Sequence, residues 1–174
     1  YEVLKRNNLG DAYIRPIVYA PSNMTFAKNT ESMIAIMAWE MQPFLGDKLL
    51  RIMSSSFQRP NPKGFNITAK AAGHYVNSIL ASQEAKAKGF DEALLSDMNG
   101  FVAEGPGANL FCEREGKLYT PSLGNILPGI TRATVLEICE ELGIEVTEKQ
   151  ISSEELKNAD AAFFCGTAAE VIGF

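Results

Sequence analysis

The sequence predicts an α+β fold dominated by short antiparallel strands. Apolar runs such as Ala12 to Ala20 (AYIRPIVYA) and Met33 to Trp39 (MIAIMAW) are short and bounded by turn residues. Helical spacing of apolar residues is confined to stretches from Ala71 and from about Thr131. The Asn99-Gly100 dipeptide between apolar segments signals a hairpin.

The elements follow in order. Pro16 has no amide donor, so the first strand belongs at an edge or carries a bulge there. The turn-rich segment PSNMTFAKN leads to the second strand. Residues 1–39 form one unit, the segment EMQPFLGD (40–47), with Pro43 and Gly46, is the linker, and residues 48–174 form a larger unit. Leu49 to Phe57 opens that unit with a strand, followed by the loop RPNPKG, in which Arg59 reads as structural. The helix from Ala71 has Tyr75, Val76, Ile79 and Leu80 as its stripe and Gly89 as its stop. Strands over Ala93 to Ser96 and Phe101 to Ala103, then Leu110 to Cys112 and Lys117 to Tyr119, pair as hairpins. The second helix has Val135, Leu136, Cys139 and Leu142 as its stripe and ends at Gly143. A strand over Ile144 to Thr147, a short helix capped by Ser152 and Glu155, and a strand over Ala161 to Cys165 complete the chain.

The bulk numbers exclude several functions. Sixteen Lys and Arg against twenty-one Asp and Glu give a net charge of -5, which argues against a broad nucleic-acid surface and leaves any anion binding local. No apolar run approaches the roughly 18 residues of a membrane span. With His74 as the one histidine and Cys112, Cys139 and Cys165 far apart, no structural metal site is expected; reduced core thiols in a cytoplasmic protein are. The start at Tyr1 and the end inside a strand-like run suggest a fragment.

Three features carry chemistry. Lys70, in NITAKAAGHY, stands among Ala69, Ala71, Ala72 and Gly73, which leave room over its amine; a partly desolvated lysine has a lowered pKa and condenses with carbonyls. A solvated lysine at a helix start is the plain alternative. Glu104, in VAEGPGANLF, follows a strand and precedes a glycine-rich turn that holds its carboxylate toward a cleft, though the same pattern suits an exposed loop acid. The segments PGIT (128–131) and GTAA (166–169) place glycine and threonine at a helix start and a strand end, where backbone amides hold a phosphate or carboxylate; each alone is as consistent with an ordinary cap.

The joint occurrence of AKAAGHY, VAEGPGANLF, PGITR and GTAAE in that order resembles the fold-type IV aminotransferases, and most closely the branched-chain amino-acid aminotransferases. The resemblance runs from YIRP to GTAAEV. It implies the end of a small α/β domain followed by a larger, truncated, strand-rich domain binding pyridoxal 5'-phosphate. It implies that Lys70 holds the cofactor and moves the proton, that Glu104 pairs with the pyridine nitrogen, and that Tyr75 meets the phenolic oxygen. Leu127 matches the residue on the ring face, while Gly129, Ile130, Thr131 and Thr167 match phosphate ligands. Tyr13 and Arg15, with Thr167 and Ala168, match the receivers of the substrate carboxylate. The implied reaction moves the amino group of leucine, isoleucine or valine to 2-oxoglutarate in a homodimer or higher homo-oligomer. The same fold also serves D-amino-acid aminotransferases and aminodeoxychorismate lyases, and a truncated chain without catalysis is a further alternative. His74, where asparagine is expected, and Ala108, where many members have glutamate, depart from the pattern.

Overall fold

The computed structural model describes residues 1–42 and 44–174. The chain divides into two compact units, Tyr1–Phe44 and Leu45–Phe174. The expected linker 40–47 contains Pro43, which lies outside the described residues.

The first unit contains a short helix, α1 (Glu2–Arg6), which the sequence pattern did not indicate, and the strands β1 (Tyr13–Tyr19) and β2 (Met33–Trp39). These strands pair antiparallel in continuous register from Tyr13 opposite Trp39 to Tyr19 opposite Met33. Pro16 sits in register opposite Ile36 without a bulge. The sheet has two strands among the described residues, so β1 has an edge where a missing amide costs no ladder bond.

In the second unit, β3 (Ile52–Gln58), β4 (Glu92–Ser96) and β5 (Val102–Glu104) form one sheet in that order. A second sheet has β6 (Asn109–Arg114) at its centre, flanked by β7 (Lys117–Pro121) and β9 (Ala161–Gly166). Outside these lie β8 (Val146–Lys149) and β10 (Glu170–Gly173). The expected antiparallel character holds for most pairs, but β3 with β4 and β7 with β8 run parallel. The cause is connectivity: α2 (Tyr75–Ala87) joins β3 to β4 and α3 (Ile130–Leu142) joins β7 to β8, and parallel neighbours require such crossovers.

One core lies around Val102, Leu110, Ile151 and Phe164, all nearly inaccessible. A smaller core joins α2 to the first sheet through Ala81, Ala85, Ala93 and Leu95. This reverses the expected face of α2. Its stripe of Val76, Ile79 and Leu80 is exposed, and Ser78, Ala81 and Ala85 are buried instead, because small side chains let the helix backbone settle close on β3 and β4. In α3 the expected stripe holds for Cys139, which is buried, and for half-buried Val135 and Leu136, whereas Leu142 is exposed and Arg132 is buried.

The predicted stops hold. Gly143 takes the left-handed conformation at φ 69°, which lets Ile144 N–H reach Cys139 O at 2.8 Å and close the end of α3. At α4 (Ser153–Lys157) the Ser152 hydroxyl accepts from Glu155 N–H and the Glu155 carboxylate accepts from Ser152 N–H, the expected capping box. Among the described residues, no helix is long and apolar enough to cross a membrane.

Candidate active site

Lys70 ends a loop whose path is pinned by buried Ile67 and by a turn in which Ala69 N–H donates to Asn66 O at 3.1 Å. A single 3-10 turn (Ala72–His74) follows and delivers Tyr75 as the first residue of α2. The Lys70 amine therefore comes back over Tyr75: Nζ donates to Tyr75 Oη at 2.9 Å and stands 5.5 Å from the ring centre. Lys70 is exposed, contrary to the partial desolvation expected of it. Its neighbours Ala69, Ala71, Ala72 and Gly73 have no side chains long enough to cover an amine, so they open the site without shielding it.

Glu104 is the last residue of β5 and is 4% exposed. Leu127 N–H donates to its two oxygens at 3.1 and 3.3 Å, and Asn109 Nδ2 donates to Oε2 at 2.8 Å. Arg59 Nε lies 2.8 Å from Oε1, a contact of opposite charges whose N–H is not aligned as a hydrogen bond. Burial raises the Glu104 pKa to about 7, and the charge of Arg59, the Leu127 amide and the charges of Lys70 and Arg132 pull it down. The outcome is a carboxyl on the cavity wall poised near neutrality.

The start of α3 lies on the same cavity. Gly129 is its N-cap in extended conformation, and no side chain caps the helix, so the amides of its first turn point outward. A thirteen-residue helix concentrates partial positive charge there, where Thr131 adds a hydroxyl. The end of β9 and the turn after it contribute Gly166 and Thr167 to the lining. A Cβ on Gly166 would stand 3.2 Å from Gly107 O, so this strand end packs closely on the turn after Glu104.

Together these elements enclose a cavity of about 240 Å³. Lys70, Tyr75, Glu104 and Leu127 line it, as do Gly129, Ile130, Thr131 and Thr167. Ala168 follows Thr167 in the turn between β9 and β10 and is not part of the wall. Tyr13 and Arg15 lie on β1 of the first unit, Tyr13 with its ring 5.2 Å from that of Trp39 and Arg15 opposite Met37. His74 and Ala108, the two departures from the family pattern, are both in the cavity wall.

Sequence reasoning missed two residues. Arg59, read as a structural loop residue, is 8% exposed and lines the cavity against Glu104. No local pattern marks it, because the contact joins residues far apart in the chain. Asn109 is 5% exposed and opens β6. A signal existed for it: an amide directly before the apolar run Leu110 to Cys112 is out of place in a buried strand unless something occupies its hydrogen bonds.

The fold is that of one enzyme class: a model of the family described as amino-transferase class IV matches residues 1–174, and the chain belongs to that family. More particularly, it is 42% identical over 174 residues to the branched-chain-amino-acid aminotransferase of Pseudomonas aeruginosa, covering 97% of this chain and 57% of that relative. The crystal structure of the branched-chain aminotransferase of Thermoproteus uzoniensis with norvaline superposes with a TM-score of 0.92 at 40% identity, over 99% of this chain and 60% of that one. The PLP form of the branched-chain amino acid aminotransferase of Thermobaculum terrenum does so with a TM-score of 0.89 at 38% identity, over 99% of this chain and 58% of that one. The architecture is thus the fold-type IV aminotransferase fold, and the chain spans somewhat more than half the length of these relatives.

The donor set fits pyridoxal phosphate. It offers an amine for an aldehyde, a buried acid near neutral pKa for a ring nitrogen, and an uncapped helix start for a phosphate.

Proposed function

We propose that the protein of which this chain is part transfers the amino group of leucine, isoleucine or valine to 2-oxoglutarate, using pyridoxal phosphate held in the cavity of residues 48–174. The observation that carries this reading is the placement of the Lys70 amine and the buried Glu104 carboxyl on one cavity with the start of α3.

Bound there, the cofactor supplies a carbonyl that amines condense with and a ring that takes up the electron pair released at the substrate α-carbon. Lys70 would hold the cofactor and then move the proton: its Nζ would take it from the substrate α-carbon as a base and deliver it, as an acid, to the carbon that had carried the cofactor's carbonyl. Tyr75 Oη, which accepts from Nζ, orients that amine. Glu104 keeps the ring nitrogen protonated, which an amide in its place would not. Leu127 would contact the ring, and Gly129, Ile130, Thr131 and Thr167 would hold the phosphate. Residues 1–39, read as the end of the smaller domain, contribute Tyr13 and Arg15, which receive the substrate carboxylate with the amides of Thr167 and Ala168. The enzyme works as a cytoplasmic homo-oligomer; the burial of Cys112, Cys139 and Cys165 as free thiols supports a reducing compartment.

The test is glutamate formation from 2-oxoglutarate with L-leucine, L-isoleucine, L-valine or D-alanine as donor. The three L-amino acids are expected to react and D-alanine to be inert. Transfer from D-alanine alone, or release of pyruvate from aminodeoxychorismate, would assign the site to another branch of the fold.

A further inference from the structure

Asn109 stands where a polar side chain is costly, at the head of an apolar strand and nearly out of solvent. Both hydrogens of its amide are engaged. Nδ2 donates to Glu104 Oε2 at 2.8 Å and to Leu127 O at 2.9 Å, which uses both of its hydrogens. Oδ1 lies so close to Gly129 that a Cβ there would come within 2.1 Å of it. Leu127 N–H returns to the Glu104 carboxyl, so the hydrogen bonds form a closed ring through Glu104, Asn109 and Leu127, and Gly129 N–H adds a bond to Leu127 O at 2.9 Å.

We infer that Asn109 is a positioning residue that locks the Glu104 carboxyl to the Leu127–Gly129 loop, so that the acid and the start of α3 keep one fixed spacing. This deepens the role given to Glu104 above and rests on that reading for what the acid faces. An amide alone among similar side chains meets the geometry. Aspartate would set a second carboxylate against Glu104 and could not donate to Leu127 O. Alanine would leave Glu104 one donor short and Leu127 O with the Gly129 N–H alone, cutting the link between the acid and the loop.

Glu104 reports the arrangement. The groups that act on it are Arg59 from the segment after β3, Lys70 from the loop before α2, the Leu127 amide, and Arg132 from α3. With these unchanged, a change at Asn109 moves the Glu104 midpoint by a definite sign.

The experiment is an infrared pH titration of the full-length, cofactor-free protein, following the carboxylic-acid stretch that Glu104→Gln removes. Asn109→Asp is expected to raise the midpoint by a unit or more and Asn109→Ala by less, both with a native circular dichroism spectrum. If Asn109→Asp does not fold, Asn109→Ala decides by the same midpoint. A lowered melting temperature with an unmoved midpoint would overturn the inference, since that is what a merely structural asparagine produces. Adding pyridoxal phosphate to wild type separates the two readings: failure to gain a lysine-dependent visible band counts against the proposed function, whereas the cofactor-free midpoint still decides the role of Asn109.

Discussion

The Lys70 amine donates a 2.9 Å hydrogen bond to the Tyr75 hydroxyl across a single 3-10 turn. That contact aims an otherwise exposed amine into the cavity. Tyr75→Phe removes the acceptor and keeps the ring. A hydrogen bond of this kind is worth about 1 kcal/mol net, so steady-state kinetics with L-leucine should show kcat/KM lowered by about five- to tenfold. The Lys70-dependent visible band should persist.

Glu104 makes the cofactor-free protein sensitive to alkali. Its carboxyl is raised by burial from the ordinary 4.5 to about 7, so the folded state holds the proton more tightly than the unfolded state. The stabilisation from this group is complete below about 4.5 and is lost as pH rises through about 7, amounting to at most about 3 kcal/mol. Thermal melts between pH 4.5 and pH 8 should show the melting temperature falling across that window. Glu104→Gln should flatten the slope, and so should pyridoxal phosphate, whose protonated ring nitrogen gives the carboxylate a partner.

Gly129→Ala should disturb the cavity more than an added methyl suggests. The new Cβ would fall 2.1 Å from Asn109 Oδ1, a side chain whose amide is committed to Glu104 and Leu127. Relief requires a shift of the loop or of Asn109, at a cost of about 1–3 kcal/mol. Differential scanning fluorimetry should register the loss, and fluorescence titration should show weaker capture of pyridoxal phosphate.

Ser152→Ala serves as a contrast. It breaks the capping box of α4, away from the cavity wall, and should lower stability by about 1 kcal/mol in urea melts. Cofactor capture should be unchanged.

Much of the architecture was legible because it is written locally. Gly143 at the end of α3, Ser152 and Glu155 at α4, and the short apolar runs of the strands each act through neighbours in sequence. What could not be read was which face of a helix meets the sheet. In α2 the large apolar residues Val76, Ile79 and Leu80 suggested the buried side, yet close packing on β3 and β4 selected Ser78, Ala81 and Ala85. The cavity followed the same division. Lys70, Glu104 and PGIT carry local signatures, whereas Arg59 and Asn109 acquire their places from partners brought up by the tertiary fold. The open setting of Lys70 was misjudged for a related reason: small neighbours make space, but only bulkier groups exclude water.

The most direct test of the central claim is the visible spectrum of the full-length protein with pyridoxal phosphate, compared with Lys70→Ala, before and after L-leucine. Wild type should gain a visible band that L-leucine bleaches, and Lys70→Ala should show neither. A wild-type spectrum without that band, or an equal and equally bleachable band in Lys70→Ala, would contradict the assignment of Lys70 as the residue that holds the cofactor and moves the proton.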